Sequence, residues 1–101
     1  MILRINLGEE TSDIVNVQDQ TRVYSIKRLR RSDNISLFVV ALDHSGKVTD
    51  RQEVSEAGKF IFFNVLPVKL RLEMSVSENG LPRYGRGADV DLFVEIEARG
   101  E

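Results

Sequence analysis

The chain has 101 residues, a net charge of −2, 42% hydrophobic and 30% charged residues, a balance that fits one globular domain and excludes a disordered or strongly basic chain. It has no cysteine, which excludes disulfides, thiolate metal sites and a cysteine nucleophile and suits a reducing compartment. No apolar run approaches the ~18 residues of a membrane helix, and Met1 to Leu7 lacks the basic start and apolar block of a signal peptide. The expectation is a complete, unprocessed product of the cytoplasm or of a virion, with no membrane association.

Taken in chain order, the dominant hydrophobic period is two, the period of a strand with one buried face. Ile2 to Leu7 reads as a first strand, and Ile14 to Val17 as an extension of the first hairpin. Val23-Tyr24-Ser25-Ile26 reads as a further strand; Ser25 to Arg31 is too short and too strand-flanked for a helix. Ile35 to Leu42 is nearly continuous in apolar β-formers, as expected of a central strand buried on both faces. The turn Asp43-His44-Ser45-Gly46 leads into a weaker strand within Lys47 to Ser55.

Ala57-Gly58 precedes Phe60-Ile61-Phe62-Phe63, a shorter run expected to be buried like Ile35 to Leu42, and Leu66-Pro67 closes it. Val68, Leu70, Leu72, Met74 and Val76 then alternate with polar residues, and Asn79-Gly80 is a strong turn signal. Glu78 to Ala88 is the longest non-periodic segment. Val90, Leu92, Val94, Ile96 and Ala98 form a last inward face, with Asp89, Asp91, Phe93, Glu95 and Glu97 outward. Strands at roughly ten-residue spacing with such turns predict an all-β fold: an antiparallel Greek-key β-sandwich of about seven strands in a single domain, residues 1–101, immunoglobulin- or prealbumin-like.

The stretch Gly58-Lys59-Phe60-Ile61-Phe62-Phe63-Asn64-Val65-Leu66-Pro67, within residues 41–72, resembles the small prealbumin-like sandwich domains. These include the carboxypeptidase regulatory-like and collagen-adhesin B-type repeats. The resemblance covers about a third of the chain and implies a fold, not a function. Lys69 stands where the pattern has glycine, and the last strand holds no asparagine for the isopeptide cross-link of adhesin repeats. The related hydrolases use several histidines, whereas this chain has only His44.

Four groups of residues are candidates for chemistry or binding. His44, beside Asp43, Ser45 and Asp50, has the elements of a general base but no nucleophile in a recognisable motif, so it reads first as a turn histidine. Asp89 and Asp91, ~7 Å apart on one strand face, lack the oxygen-rich loop of a calcium site and read as an acidic outer face. Lys27, Arg28, Arg30 and Arg31 are the densest charge cluster. Strand alternation predicts two of these cations per face, either as solvated gatekeepers or as a partner contact. Arg83, Tyr84 and Arg86, in Leu81-Pro82-Arg83-Tyr84-Gly85-Arg86-Gly87, carry the residue types enriched at interfaces.

The expected function is therefore non-enzymatic. It is a structural or assembly module that self-associates or docks on a larger complex through a protein partner, with a phage or virus virion as one setting. No catalytic residue, metal or cofactor is assigned. Nucleic acid is disfavoured by the net charge and by the lack of aromatics interleaved with the basic cluster. The alternatives are a carbohydrate-binding or adhesive module and a small hydrolase.

Overall fold

The computed structural model describes residues 1–6, 11–32, 35–76 and 91–99. These form eight antiparallel strands and no helix: β1 (Ile2–Asn6), β2 (Val15–Asn16), β3 (Val23–Arg30), β4 (Ile35–Leu42), β5 (Val48–Val54), β6 (Phe60–Phe62), β7 (Lys69–Val76) and β8 (Asp91–Ala98). No helix of the described residues is long and apolar enough to cross a membrane.

The strands make two four-stranded sheets, ordered β1-β8-β3-β6 and β2-β7-β4-β5. The hydrogen-bonded pairs nest: β1 with β8, β2 with β7, β3 with β6, and β4 with β5. Pairing of β3 with β8 and of β4 with β7 completes the sheets.

The two sheets meet over one apolar cluster, in a sandwich-like arrangement. Leu3, Ile5, Ile26, Leu92, Val94 and Ile96 come from the first sheet, and Leu37, Val39, Ala41, Val54, Leu70 and Leu72 from the second. Each fully buried side chain of leucine size contributes about 1.5–3 kcal/mol, so this layer dominates the stability. Of the inward sets predicted on β7 and β8, Leu70, Leu72, Met74, Leu92, Val94, Ile96 and Ala98 pack here.

β4 is buried on both faces, as its composition requires. Val40 and Leu42, on the side away from the main cluster, are fully buried as well. Around them Arg51 lies over the Phe38 ring at 4.4 Å, and Glu73 accepts from Arg71 at 2.6 Å and pairs with Arg51 at 3.4 Å. The charged ends stay near solvent while their aliphatic stems cover apolar surface.

Two expectations are corrected. The segment around Ile14 to Val17 does not extend a first hairpin; it lines the edge of β7 in the other sheet. Val15 pairs with Leu70, the Ser12 amide donates to Leu72 O at 2.8 Å, and the Leu72 amide donates to Ser12 Oγ at 2.7 Å. A side-chain hydroxyl there takes the place of a backbone acceptor, and Ile14, two residues on, is 51% exposed. The Phe-rich run is not buried on both faces either. β6 is an edge strand, so only Ile61 and Phe63 turn inward.

The Asp43–Gly46 and Ala57-Gly58 turns fall where the sequence placed them; Asn79-Gly80 lies outside the described residues. Asp43 Oδ1 accepts from the amides of Ser45 and Lys47, both at 2.9 Å, and from Ser45 Oγ at 2.6 Å. Gly46 closes that turn at φ +88°, a conformation that a β-carbon disfavours.

Candidate functional site on the outer face of the first sheet

The basic run on β3 is organised by a β-bulge. Ile26 is opposite Ile96 and Arg28 is opposite Glu95, which leaves Lys27 as the extra residue. A bulge puts two consecutive residues against one on the partner strand and breaks the alternation. Lys27 and Arg28 therefore both lie on the outer face, and normal alternation then sends Leu29 inward and Arg30 outward. The expected split of two cations per face does not occur: Lys27, Arg28 and Arg30 share one face, and Arg31 follows, exposed, beyond the strand.

The face is ordered in rows across β1, β8 and β3. In one row Arg4, Phe93 and Arg30 stand side by side; in the next are Ile2, Glu95 and Arg28. Arg28 Nε donates to Glu95 Oε1 at 2.6 Å, and its guanidinium carbon lies 5.7 Å from the Phe93 ring centroid. Lys27 pairs with Glu97 at 3.2 Å, and Asn6 donates to Asp91 Oδ1 at 3.0 Å. The carboxylates of β8 thus have local partners. Arg4 and Arg30 have no ion pair among the described residues.

The far edge of this sheet is aromatic. Phe60 and Phe62 project outward from β6 with 49% and 62% of their surface exposed, their ring centroids 6.1 Å apart. Val65 and Leu66, just beyond, are also exposed. Sequence reasoning missed this pair by treating the whole phenylalanine run as core. The signal was present: Ile61 and Phe63 already fill one face at period two, so Phe60 and Phe62 must take the other.

The other candidates separate. Leu66 also borders a partly open cleft of about 320 Å³ whose walls are Val17, Asp19, Gln20, His44, Pro67 and Val68. His44 therefore faces a concave site with one carboxylate in it, but no hydrogen bond joins His44 to Asp19 among the described residues. Asp43 and Asp50, the acids nearest His44 in sequence, are both held by backbone amides instead. Hydrogen bonds from Ser45 Oγ and the Lys47 amide keep the Asp43 carboxyl below the usual range. Asp91 is engaged with Asn6; Asp89 lies outside the described residues, as do Arg83, Tyr84 and Arg86. No group of three His, Asp or Glu side chains among the described residues is placed to hold a metal ion.

Two consecutive residues of β3 carry buried hydroxyls. Tyr24 is almost wholly buried, edge-on to Phe63 at 5.8 Å, and its hydroxyl finds no hydrogen-bond partner. Burial first, and then the charge of Asp19, push its pKa up to about 12. The adjacent Ser25 Oγ is also buried and unpartnered.

Comparison of the chain with protein-family models, with curated proteins and with solved structures finds no match.

Proposed function

We propose that the chain is a non-enzymatic docking or assembly module, which joins a protein partner or further copies of itself through the outer face of its first sheet. The exposed Phe60–Phe62 pair carries this reading. Two neighbouring phenylalanines left 49% and 62% in water give up burial worth about 25 cal/mol per Å², and contiguous exposed apolar surface characteristically marks an interaction site. Their place on a three-residue edge strand lets a partner approach both the rings and the strand edge. Arg83, Tyr84 and Arg86 stay binding candidates on residue type alone.

The nested strand order supports a finer reading of the fold. A two-stranded ribbon running β1–β8, β2–β7, β3–β6, β4–β5 and rolled over on itself is the jelly-roll form of the Greek-key sandwich, two Greek keys in one domain. The nesting favours this form over an immunoglobulin- or prealbumin-like one. Jelly rolls serve in viral capsids and in lectins, which keeps a virion as one setting for assembly. Because a fold hosts many functions, that link is an analogy.

The same aromatic pair favours one alternative, a carbohydrate-binding or adhesive module in which the rings stack on a sugar. Tyr24, one of the two tyrosines, is buried and offers no platform.

The test is size-exclusion chromatography with light scattering over a range of concentrations, together with pull-down, on the wild type and a Phe60→Thr/Phe62→Thr variant. The wild type is expected to self-associate or capture a partner. The variant should lose that association and keep its melting temperature. A strict monomer that captures nothing overturns the reading, and hits on a glycan array that disappear in the variant would favour the alternative.

A further inference from the structure

The Arg4–Phe93–Arg30 row points to a second site on the same sheet, independent of Phe60 and Phe62. We infer that this row binds an acidic peptide segment, with two carboxylates on Arg4 and Arg30 and an apolar side chain between them on Phe93. Three observations converge. Arg4 and Arg30 flank Phe93 in direct cross-strand register. Glu95 and Glu97 on β8 are paired with Arg28 and Lys27, while Arg4 and Arg30 form no ion pair among the described residues. A half-buried aromatic ring, Phe93, stands between Asp91 and Glu95 on the otherwise acidic outer face of β8.

The spacing sets the ligand. Adjacent strands are ~4.8 Å apart, so the Arg4 and Arg30 backbones stand ~10 Å apart across β8. In an extended peptide, side chains four residues apart lie on one face ~13 Å from each other, within reach of two long guanidinium arms. Guanidinium is suited to carboxylate because its planar fork can make two parallel hydrogen bonds. A nucleic-acid strand fits less well. It needs a continuous cationic track for successive phosphates, whereas this row offers two arginines, one on either side of Phe93.

Fluorescence anisotropy tests the inference with a labelled peptide of repeated Glu-Ser-Leu-Ser-Glu, its Gln-for-Glu counterpart, and a poly-uridine oligonucleotide of similar length. The acidic peptide should bind saturably and weaken as salt rises. Arg4→Gln and Arg30→Gln should each weaken it by roughly 3- to 5-fold, about one exposed ion pair apiece, and the double variant by roughly 10-fold or more. Lys27→Gln, which changes a residue already paired with Glu97, should stay within about 2-fold. The Phe60→Thr/Phe62→Thr variant should bind the peptide normally, which separates this site from the proposed docking surface. The inference is overturned by any of three results: no saturable binding, equal binding of the Gln peptide, or preferential binding of the oligonucleotide through the same arginines.

Discussion

Asp50 on β5 accepts a hydrogen bond from the Asn64 backbone amide at 2.8 Å, which ties the edge of the second sheet to the chain leaving β6 at the edge of the first. The same carboxylate accepts from the Arg51 amide at 2.8 Å and from Gln52 Nε2 at 3.1 Å. One side of the sandwich is thus held by a charge-assisted contact as well as by the β5–β6 connection.

Replacing Asp50 by Ala should lower the unfolding free energy by about 1–2 kcal/mol, because it leaves the Asn64 amide without that partner. Urea denaturation measures the change. Partial burial pushes the Asp50 pKa up, but the hydrogen bonds from Asn64, Gln52 and Arg51 outweigh it and hold the pKa below the ordinary value. A carboxylate with a depressed folded pKa stabilises above its unfolded pKa of about 4, and that stability is lost as pH falls through the folded value. Melting temperature should therefore drop below about pH 4, with Asp43 adding in the same direction. An Asp50→Asn variant should show a shallower acid limb; an unchanged acid limb would remove Asp50 from this role.

Tyr24 makes the opposite prediction at high pH. Its folded pKa of about 12 lies above the ordinary tyrosine value of about 10, so stability is intact below about pH 10 and falls as pH rises from there towards the folded value. Absorbance at the phenolate band should show one tyrosine titrating late, together with unfolding. Tyr24→Phe removes a hydroxyl that has no partner, so it should be neutral or stabilise by up to about 1 kcal/mol. A clear loss of stability in thermal melts would mean that the hydroxyl is hydrogen-bonded after all.

The bulge gives a deletion test. Lys27 is the extra residue, and Ile26, Arg28, Leu29 and Arg30 alternate in, out, in, out without it. Deleting Lys27 should leave a regular strand and cost about 1 kcal/mol or less, the worth of its surface ion pair with Glu97. Deleting Leu29 instead would turn Arg30 inward, because a one-residue slip flips every later side chain. Far-ultraviolet circular dichroism and melting of the two deletions should differ sharply; equal damage from both would argue against the bulge.

Much of the architecture was legible because period-two patterning is a local property. The inward sets of β7 and β8, the doubly buried β4 and the Asp43–Lys47 turn are each written in a few consecutive residues. The outward Phe93 was legible too, but the sequence could not say that Arg4 and Arg30 would flank it, since they lie far apart in the chain and meet only through register. The cation split failed because a bulge depends on how two strands share hydrogen bonds, and no single strand's sequence declares it. The Phe60–Phe62 pair was misjudged because a run of phenylalanines reads as core until its strand is known to be an edge.

The sequence alone determined an all-β chain with alternating faces, turn positions and no cysteine chemistry, since each follows from local side-chain period and composition. The tertiary structure alone decided which strands pair, that the pairs nest from β1–β8 to β4–β5, and that three cations of one basic run share a surface with Phe93. Those features are set by non-local hydrogen bonding and by the burial of two sheets against each other, which compare residues far apart along the chain.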